Sequence, residues 1–587
     1  MPPSATLAKP TSAPTPMPIA KPMSTHATMS APAPTPISTE GPTRFSRRSF
    51  VEVAAFGVTA LSLGTILSSC TGPTPSGAGT SRASDEVVIA INTGSEPEAG
   101  FDPFYSWGCG EHVHEPLIQS TLITTDENLD FVNDLAEQYA CSDDRLTWTF
   151  VIRDDVKFSD GTKLTARDVA FTINGIKDFE GAELDLSYVD RAIAVDDTTV
   201  EIKLNKPFNA LLYTLAVVGI VPAASYASDT YGANPIGSGR YLLEQWNRGQ
   251  QVILKANPDY YGEAPKMKKV TVVFVSEDAS LAAAQSGQVD IAFTAATLAT
   301  QVPKGYELLS CKSVDCRGIS LPSVASGGKR SDGEGDYSCG NAVTCNPEIR
   351  RAINLTIDRE KMVENTLDGY GTVAYSVCDG MPWSSSDMEV ATDLEQAAKI
   401  LVDAGWVKGA DGVYAKGDLR AEFTLFYPVD DSVRQAMANE FKNQLDSFGI
   451  AVTLKGSSWT TDSGGLYAHQ YSDPIVWGWG ANSPTQLYDL TYGPSFGNYA
   501  SYENEVVDAH LDAALATVTV EESFDEWKCA QWDGSWGIAP QGAASWVWLA
   551  NVDHLYFKRS GLNVATQKPH PHGHGWSLIN NVDRWSW

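Results

Sequence analysis

The sequence is poor in positive charge and has no long apolar run beyond its amino-terminal segment. It carries 42 Lys and Arg against 72 Asp and Glu, for a formal net charge of -30, and it contains no Lys/Arg-rich run. A chain this acidic repels nucleic acid, so we exclude nucleic acid as a partner. The longest apolar stretches after the amino-terminal segment, such as residues 208–224, are interrupted by polar residues, so no membrane span is expected there.

Sequence signatures of catalysis are also scarce. Neither H-E-x-x-H nor G-x-x-x-x-G-K-[ST] occurs, and His112-Val-His-Glu115 is not a zincin motif. Residues 493–497 match the G-x-S-x-G pattern of serine hydrolases, with Ser495 as the nominal nucleophile. That pattern requires a strand before the serine and a helix after it, which Pro494 and the Asn-Tyr-Ala-Ser-Tyr that follows disfavour. We therefore expect no enzyme, and we keep a surface hydrolase as the rival hypothesis.

The first 84 residues have the pattern of an export signal followed by an anchor. Residues 1–43 are dominated by Pro, Thr, Ala and Ser, and the pair Arg47-Arg48 then precedes a moderately apolar run and Leu-Ser-Ser-Cys70. A basic region, an apolar region and small residues in this order are typical of a secretory signal, and the last four residues resemble a bacterial lipobox. We predict an export signal over 1–69, by the twin-arginine or the general route. Lipidation of Cys70 and a flexible tether over 70–84 are also predicted.

Cysteine usage is consistent with export. Of the nine cysteines, eight remain when Cys70 is set aside, and an even number in an exported protein favours disulfides. Candidate pairs are Cys339 with Cys345 and Cys311 with Cys316. A zinc site made of four thiolates is the alternative, but the spacings differ from the usual C-x2-C.

Hydrophobic periodicity predicts an α/β chain. Alternation of apolar and polar residues predicts strands, and apolar residues at helical spacing predict helices. The predicted strands are 86–92, 146–152, 199–204 and 269–275. The predicted helices are 166–173, 280–286, 347–357, 394–404 and 432–448. Strands mixed with helices along the whole chain indicate the α/β class.

Residues 146–173, LTWTFVIRDDVKFSDGTKLTARDVAFTI, resemble the most characteristic segment of the extracellular solute-binding proteins that serve oligopeptide, dipeptide and nickel ABC importers. Further motifs follow in the order of that family. They are NPIGSGRY at 234–241, NPDYYG at 257–262, AQSGQVD at 284–290, EIRRAINLTIDRE at 348–360, and FGI at 448–450 ahead of Trp479. The resemblance covers about residues 86–550. Two departures are Arg240, where the family usually has Pro, and an apparent extra loop over 322–346.

The resemblance implies a two-lobed α/β protein with a periplasmic-binding-protein-like fold and a hinge between the lobes. Lobe I would comprise 85–315 plus 546–587, with an inserted subdomain over 116–233, and lobe II would comprise 316–545. Two chain crossings between the lobes would form the hinge. A ligand bound between the lobes would then select the closed state.

The resemblance also implies a monomeric, lipid-anchored protein on the outer face of the bacterial cell membrane, delivering a small peptide to an ABC permease. No cofactor is expected. In peptide binders of the family, an Asp just after the pocket Trp binds the α-amine, because a buried ammonium needs a carboxylate. Here Trp477-Gly-Trp479-Gly-Ala-Asn482 has Ala or Asn in that position, and Asp489 is a nearby substitute. A nickel or other metal chelate, or another small polar solute, is therefore the alternative ligand.

Candidate site residues follow from the same comparison. The ligand-binding candidates are Trp479, Asn482, Trp477, Tyr105, Trp107 and Glu111. Histidines cluster at His112 and His114 and in the tail at His570, His572 and His574. Imidazole suits nickel, copper and zinc, and residues two apart in an extended segment point the same way, so these clusters are candidate metal ligands. The alternative is a tail packed on lobe I with ordinary hydrogen bonds.

Overall fold

The computed structural model describes residues 83–587 except 98, 106–116, 180–181, 183, 332–335, 468, 481, 496 and 572–577. The predicted export signal, Cys70 and most of the tether therefore lie outside the described residues. Two ligand-binding candidates and four metal-ligand candidates lie outside them as well: Trp107 and Glu111, and His112, His114, His572 and His574. Within the described part of the chain, no helix is both long enough and apolar enough to cross a membrane.

Strands and helices are mixed along the described chain. The strands are β1 Glu86–Asn92, β2 Ile123–Thr125, β3 Phe131–Asn133, β4 Ala136–Cys141, β5 Thr147–Ile152, β6 Val189–Ala194, β7 Thr199–Leu204, β8 Tyr241–Asn247, β9 Gln251–Ala256, β10 Lys269–Val275, β11 Ile291–Thr294, β12 Tyr306–Cys311, β13 Asp315–Ser320, β14 Gly328–Ser331, β15 Asp336–Cys339, β16 Gly371–Val373, β17 Val407–Lys408, β18 Tyr414–Lys416, β19 Leu419–Arg420, β20 Glu422–Pro428, β21 Ala451–Ser457, β22 Ile475–Gly480, β23 Trp546–Val552 and β24 His554–Arg559. The α-helices are α1 Ala166–Asp178, α2 Leu211–Leu215, α3 Glu277–Gln285, α4 Pro347–Thr356, α5 Arg359–Leu367, α6 Leu394–Asp403, α7 Ser432–Phe448, α8 Trp459–Tyr467, α9 Thr485–Thr491, α10 Glu505–Leu515 and α11 Phe524–Gln531.

Two large sheets form the bodies of the two lobes. Lobe I is built on a seven-stranded sheet in the order β12-β24-β11-β1-β10-β9-β8, in which β1 runs parallel to both β10 and β11. Lobe II is built on a six-stranded sheet in the order β16-β23-β13-β22-β20-β21. Each sheet carries its own buried core. Two sheets with helices packed on them make the two-lobed α/β architecture that the resemblance implies.

The chain crosses between these sheets twice. The first crossing joins β12 to β13, and the second joins β23 to β24 at Asp553. The predicted boundary at 545/546 assigns strand β23 to lobe I, but the strand pairs with β13 and β16 inside the lobe II sheet. The return to lobe I therefore occurs at Asp553, because β23 is buried along its whole length and contributes Val547, Leu549, Ala550 and Val552 to the lobe II core.

Polar side chains tie the two crossings together. Asp553 Oδ2 accepts hydrogen bonds from Lys312 Nζ at 2.7 Å and from Ser310 Oγ at 2.8 Å. His554 Nε2 lies 3.1 Å from Asp315 Oδ2. Each of these contacts joins one crossing to the other, so the two crossings are hydrogen-bonded side by side.

The family-like segment 146–173 builds a separate four-stranded sheet in the order β4-β5-β7-β6, with α1 packed on it. A capping box starts α1, in which Thr165 N donates to Asp168 Oδ2 at 2.8 Å. The turn between strand and helix contains Gly161 at a φ of +86°, a conformation that suits glycine. This segment therefore shapes the inserted region, and no ligand contact is needed to explain its motif.

The predicted cysteine pairs are not disulfides in this structure. All seven cysteines in the described residues are free thiols, among them Cys311, Cys316, Cys339 and Cys345. Cys311 ends β12 in the lobe I sheet, whereas Cys316 lies on β13 in the lobe II sheet, so closeness in sequence does not make them partners. The thiol of Cys345 instead donates to the carbonyl oxygen of Ala342, with 3.3 Å between Sγ and the oxygen. Among the seven described cysteines, the even count therefore does not correspond to disulfide pairing.

The hydrolase-like pattern has the wrong structural context. Ser495 follows α9, and its backbone N–H donates to Tyr492 O at 2.9 Å in a turn. A nucleophile elbow requires a strand immediately before the serine. Ser495 therefore does not lie at one.

Candidate functional site

The lobes face each other at the carboxyl end of β1 and the amino end of α7. Ser432, the first residue of α7, donates its N–H to Glu277 Oε1 of lobe I at 3.3 Å, and its Oγ lies 2.7 Å from Thr297 Oγ1. A Cβ added at Gly94, just after β1, would lie 3.8 Å from Cδ1 of Trp459 in lobe II. Ligands of open α/β sheets bind outside the carboxyl ends of strands, so this junction is the candidate site.

Stacked aromatic rings form the lobe II wall of the junction. The rings of Trp459 and Trp477 are parallel within 6°, with their centroids 4.8 Å apart. Trp477 and Trp479 each meet Tyr499 edge to face, at centroid distances of 6.5 Å and 5.9 Å. Rigid aromatic walls of this kind supply apolar contact area with few rotatable bonds to immobilise.

Two guanidinium groups converge beside this wall, over Gly478 of β22. A Cβ at Gly478 would lie 2.6 Å from Arg317 Nη1 and 2.8 Å from Arg434 Nη2, so only glycine leaves room for both. Arg434 also lies over the Trp459 ring, with Cζ 4.8 Å from the centroid. Both side chains are nearly buried, at 13% exposure for Arg317 and 8% for Arg434. Within the described residues, the Nε of each arginine has no hydrogen-bond partner.

Two carboxylates balance the two guanidiniums. Arg317 Nη2 donates to Asp315 Oδ2 at 2.8 Å, and Arg434 pairs with Asp431, the N-cap of α7. Burial acts to raise the pKa of Asp315, but the charges and hydrogen bonds of Arg317 and His554 together outweigh it and hold that pKa well below its usual range. The pKa of Asp431 is lowered for the same reason, with Arg434 the main opposing charge. Both carboxylates are therefore ionised at neutral pH, which leaves a site of paired opposite charges.

The predicted tryptophans lie at this wall with different exposures. Trp477 is 3% exposed, whereas Trp479 is half-buried and its Nε1 donates to Gln486 Oε1. Tyr105 is half-buried too, and its ring packs edge to face on Phe179 at a centroid distance of 4.6 Å. Trp477 is thus largely covered, with Trp459 stacked on its ring, while part of Trp479 remains accessible. Their contact with ligand stays a prediction, as does that of Tyr105.

Asn482 is buried, with 1% exposure, and its Nδ2 donates to the backbone carbonyl of His570 at 2.9 Å. His570 itself is fully buried. Among the described residues, no group of three or more His, Cys, Asp or Glu side chains is arranged to hold a metal ion. The hypothesis of a histidine metal site depends on His112, His114, His572 and His574, which lie outside the described residues, so it stays a prediction.

Asp489 is poorly suited to be an ionised partner for a ligand amine, because its pKa is raised. Burial, and then the charge of Asp185, raises the pKa of Asp489 to about 7. Asp185 belongs to the inserted region and Asp489 to α9 of lobe II, so two like charges meet where these parts approach. Near neutral pH, Asp489 is therefore only partly ionised.

We expect Asp489→Asn to stabilise the protein in a pH-dependent way. A raised folded-state pKa means that the folded state holds the proton more tightly. Stability is then lost as pH rises from about 4 to about 7. Removing the carboxyl should raise the free energy of unfolding at about pH 8 by roughly 1–4 kcal/mol and leave it unchanged at about pH 4. Urea denaturation at both pH values measures this. Asp229→Asn, at an exposed position, is the matched control, and an equal gain at both pH values would contradict the assignment.

Sequence reasoning missed Arg317, Arg434 and Trp459. The signals available were weak: Asp315 and Arg317 alternate on a strand that is otherwise apolar, and Asp431 precedes Arg434 by one helical turn. Nothing local to either segment indicated that the two guanidiniums meet. Their meeting depends on the pairing of β13 with β22.

Comparisons with known proteins agree with this architecture. A sequence model of the bacterial extracellular solute-binding proteins, family 5 (middle), matches residues 130–499. Protein XP55 of Streptomyces lividans is 31% identical, over 81% of this chain and 85% of that protein. Two solved structures share the fold. NikZ from Campylobacter jejuni, in complex with Ni(L-His), has a TM-score of 0.73 at 23% identity, covering 86% of this chain and 100% of that one. The oligopeptide-binding protein AppA of Bacillus subtilis, in complex with a nonapeptide, has a TM-score of 0.68 at 23% identity, covering 85% and 98%. This chain therefore belongs to the family 5 bacterial extracellular solute-binding proteins.

Proposed function

We propose that this protein is the lipid-anchored, extracytoplasmic binding component of an ABC importer. It captures small peptides between its lobes and delivers them to a membrane permease. Family membership supports the binding role, and AppA, which shares the fold, is described in complex with a nonapeptide. The order of arginine pair, apolar run and Leu-Ser-Ser-Cys70 supports export and lipidation.

One observation carries the assignment of the ligand: the paired guanidiniums of Arg317 and Arg434 beside the Trp459 ring. Each has an Nε donor with no partner among the described residues. Guanidinium groups bind carboxylates with good geometry, and in a nearly buried site such contacts are strong. A peptide offers one free carboxylate at its end, with apolar side chains for the aromatic wall.

The amine of the peptide is the weaker determinant in this proposal. Asp315 and Asp431 already pair with guanidiniums, and Asn482 donates to His570. An uncompensated ammonium in a buried site is costly. We therefore infer selection mainly through the carboxylate end of the ligand.

A metal chelate of an amino acid is the second candidate, because its carboxylates would use the same guanidiniums. NikZ, described in complex with Ni(L-His), shares the fold. Arg317 and Arg434 suit both ligands, so the two candidates differ in whether a metal is present.

Native mass spectrometry of protein purified without a metal-affinity tag distinguishes the candidates. We expect a mass excess that resolves into a ladder of short peptides and disappears on denaturation. A discrete excess with a metal isotope pattern would replace the peptide assignment with the chelate. Absence of any peptide adduct, even after incubation with a tryptic peptide mixture, would contradict peptide binding. Saturation at one ligand per chain without turnover would separate a binding protein from the rival hydrolase.

A further inference from the structure

A short carboxy-terminal segment lies in sequence between residues of the lobe I core. Leu562 is buried in that core together with four later residues: Leu578, Ile579, Val582 and Trp585. Asp583 adds an ion pair with Arg240 at 2.7 Å. We call residues 566–571, which follow Leu562 in this segment, the strap.

Side chains of lobe I donate hydrogen bonds to the backbone of Thr566 and Lys568 in the strap. Asn581 Nδ2 donates to Thr566 O at 2.5 Å, and Asn580 Nδ2 donates to Lys568 O at 3.2 Å. Lys568 Nζ in turn donates to Thr124 Oγ1 of the inserted region at 2.9 Å. The strap is therefore part of lobe I and its insert, with a defined path.

His570, near the carboxyl end of the strap, contacts lobe II. The carbonyl oxygen of His570 accepts a hydrogen bond from Asn482 Nδ2 at 2.9 Å. Asn482 follows β22 of the lobe II sheet, and both residues are buried, at 1% and 0% exposure. This hydrogen bond links the lobes at a place other than the two chain crossings.

The chemistry of the contact explains why an amide stands at position 482. A backbone carbonyl only accepts hydrogen bonds, so its partner must donate. An ionised Asp in the same place would set a carboxylate against a carbonyl oxygen, with neither able to donate, in a buried environment. Asn has almost the same shape as Asp and supplies the donor.

We propose that Asn482 is a positioning residue that latches the carboxy-terminal strap onto lobe II. In this assignment it is not the contact for a ligand amine. The bond exists only when the strap and lobe II are together, so it adds stability to the closed arrangement and none to an open one. The inference rests on the contact between the lobes and does not depend on which ligand is bound.

The test is Asn482→Asp in the full chain, with no ligand added. At about pH 7 the donor is lost, and we expect amide hydrogen exchange in residues 566–571 to rise roughly 2- to 10-fold relative to wild type. Small-angle X-ray scattering should show a larger radius of gyration at the same pH. Burial raises the pKa of a carboxyl group, so at about pH 4 the Asp is protonated and donates again. Both differences from wild type should then shrink.

Asn174→Asp is the matched control. Asn174 Nδ2 also donates to a backbone carbonyl, that of Ala192 at 2.9 Å, but both residues lie inside the inserted region. It should lower stability without changing strap exchange or the radius of gyration.

Should N482D not fold, N482L removes the same donor without adding charge and has the same two expected effects at about pH 7. Wild-type exchange and radius in the variant would overturn the latch. A defect of equal size at both pH values in N482D would overturn it as well, since the donor would then be irrelevant.

Discussion

We expect Arg434→Met to weaken the binding of trialanine by about 30-fold or more, because truncating one partner of a buried charged contact typically costs at least 2 kcal/mol. Arg434 is 8% exposed, lies over the Trp459 ring, and has an Nε without a partner among the described residues. In our proposal this donor, with those of Arg317, binds the carboxylate end of the peptide. Isothermal titration calorimetry of wild type and variant measures the change.

The carboxylate can be tested separately by using trialanine amide, which lacks the negative charge. Wild type should bind the amide about as weakly as R434M binds the acid, and R434M should barely distinguish the two peptides. Such a double-mutant cycle isolates the contact between guanidinium and carboxylate from general damage. Equal losses for acid and amide in R434M would show that Arg434 acts only through packing.

Arg420→Met is the matched control for this experiment. Arg420 is half-exposed, with 47% side-chain exposure, and pairs with Asp411 and Glu422 on the surface. Surface ion pairs contribute little to stability. Binding of both peptides by R420M should therefore match wild type.

The second large effect concerns stability: Arg359→Met should lower the free energy of unfolding by about 3 kcal/mol or more. Arg359 is 3% exposed and bridges α4, α5 and β23. Its Nε donates to Trp548 O at 2.8 Å, its Nη1 to Asn354 O at 3.1 Å and its Nη2 to Asn354 Oδ1 at 2.9 Å. Methionine fills similar volume but leaves these buried acceptors without a donor. Urea denaturation followed by tryptophan fluorescence measures the loss.

Arg351→Met, in the same family-like motif, provides the comparison. Arg351 is half-buried, and its Nε donates to a single carbonyl, that of Gly542 at 3.0 Å. Its replacement should cost less than about 1 kcal/mol. If R359M were as mild as R351M, solvent or neighbouring donors would have to satisfy the carbonyls, and the bridging role would be wrong.

Individual strands and helices were predictable because the residue pattern that defines each one lies within a short segment of the chain. The strands Glu86–Asn92, Thr199–Leu204 and Lys269–Val275 and the helix Ser432–Phe448 have the predicted bounds. Alternation with a period of two, or apolar residues with helical spacing between caps, is contained within a few turns of chain. The helix predicted over 280–286 instead spans Glu277–Gln285, with Ser276 at the N-cap position.

The candidate site was less accessible from sequence. Aromatic residues near Trp479 could be found from the family motif, and two of the four rings at the wall, Trp477 and Trp479, are among them. The two arginines could not, since Arg317 and Arg434 are brought together only when β13 pairs with β22 and α7 packs on that sheet. Long-range strand pairing is not encoded in any single segment.

The sequence by itself determined the class of the protein, because hydrophobic periodicity and an ordered series of family motifs can be recognised without any knowledge of contacts. It also determined the α/β architecture. Only the tertiary structure decided which strand carries the chain back at Asp553, that Cys311 and Cys316 lie in different sheets, and that Asn482 meets a carbonyl of the tail. These are relations between residues distant in the chain, and the physical quantities that set them, burial, donor–acceptor matching and paired charge, exist only once the sheets are assembled.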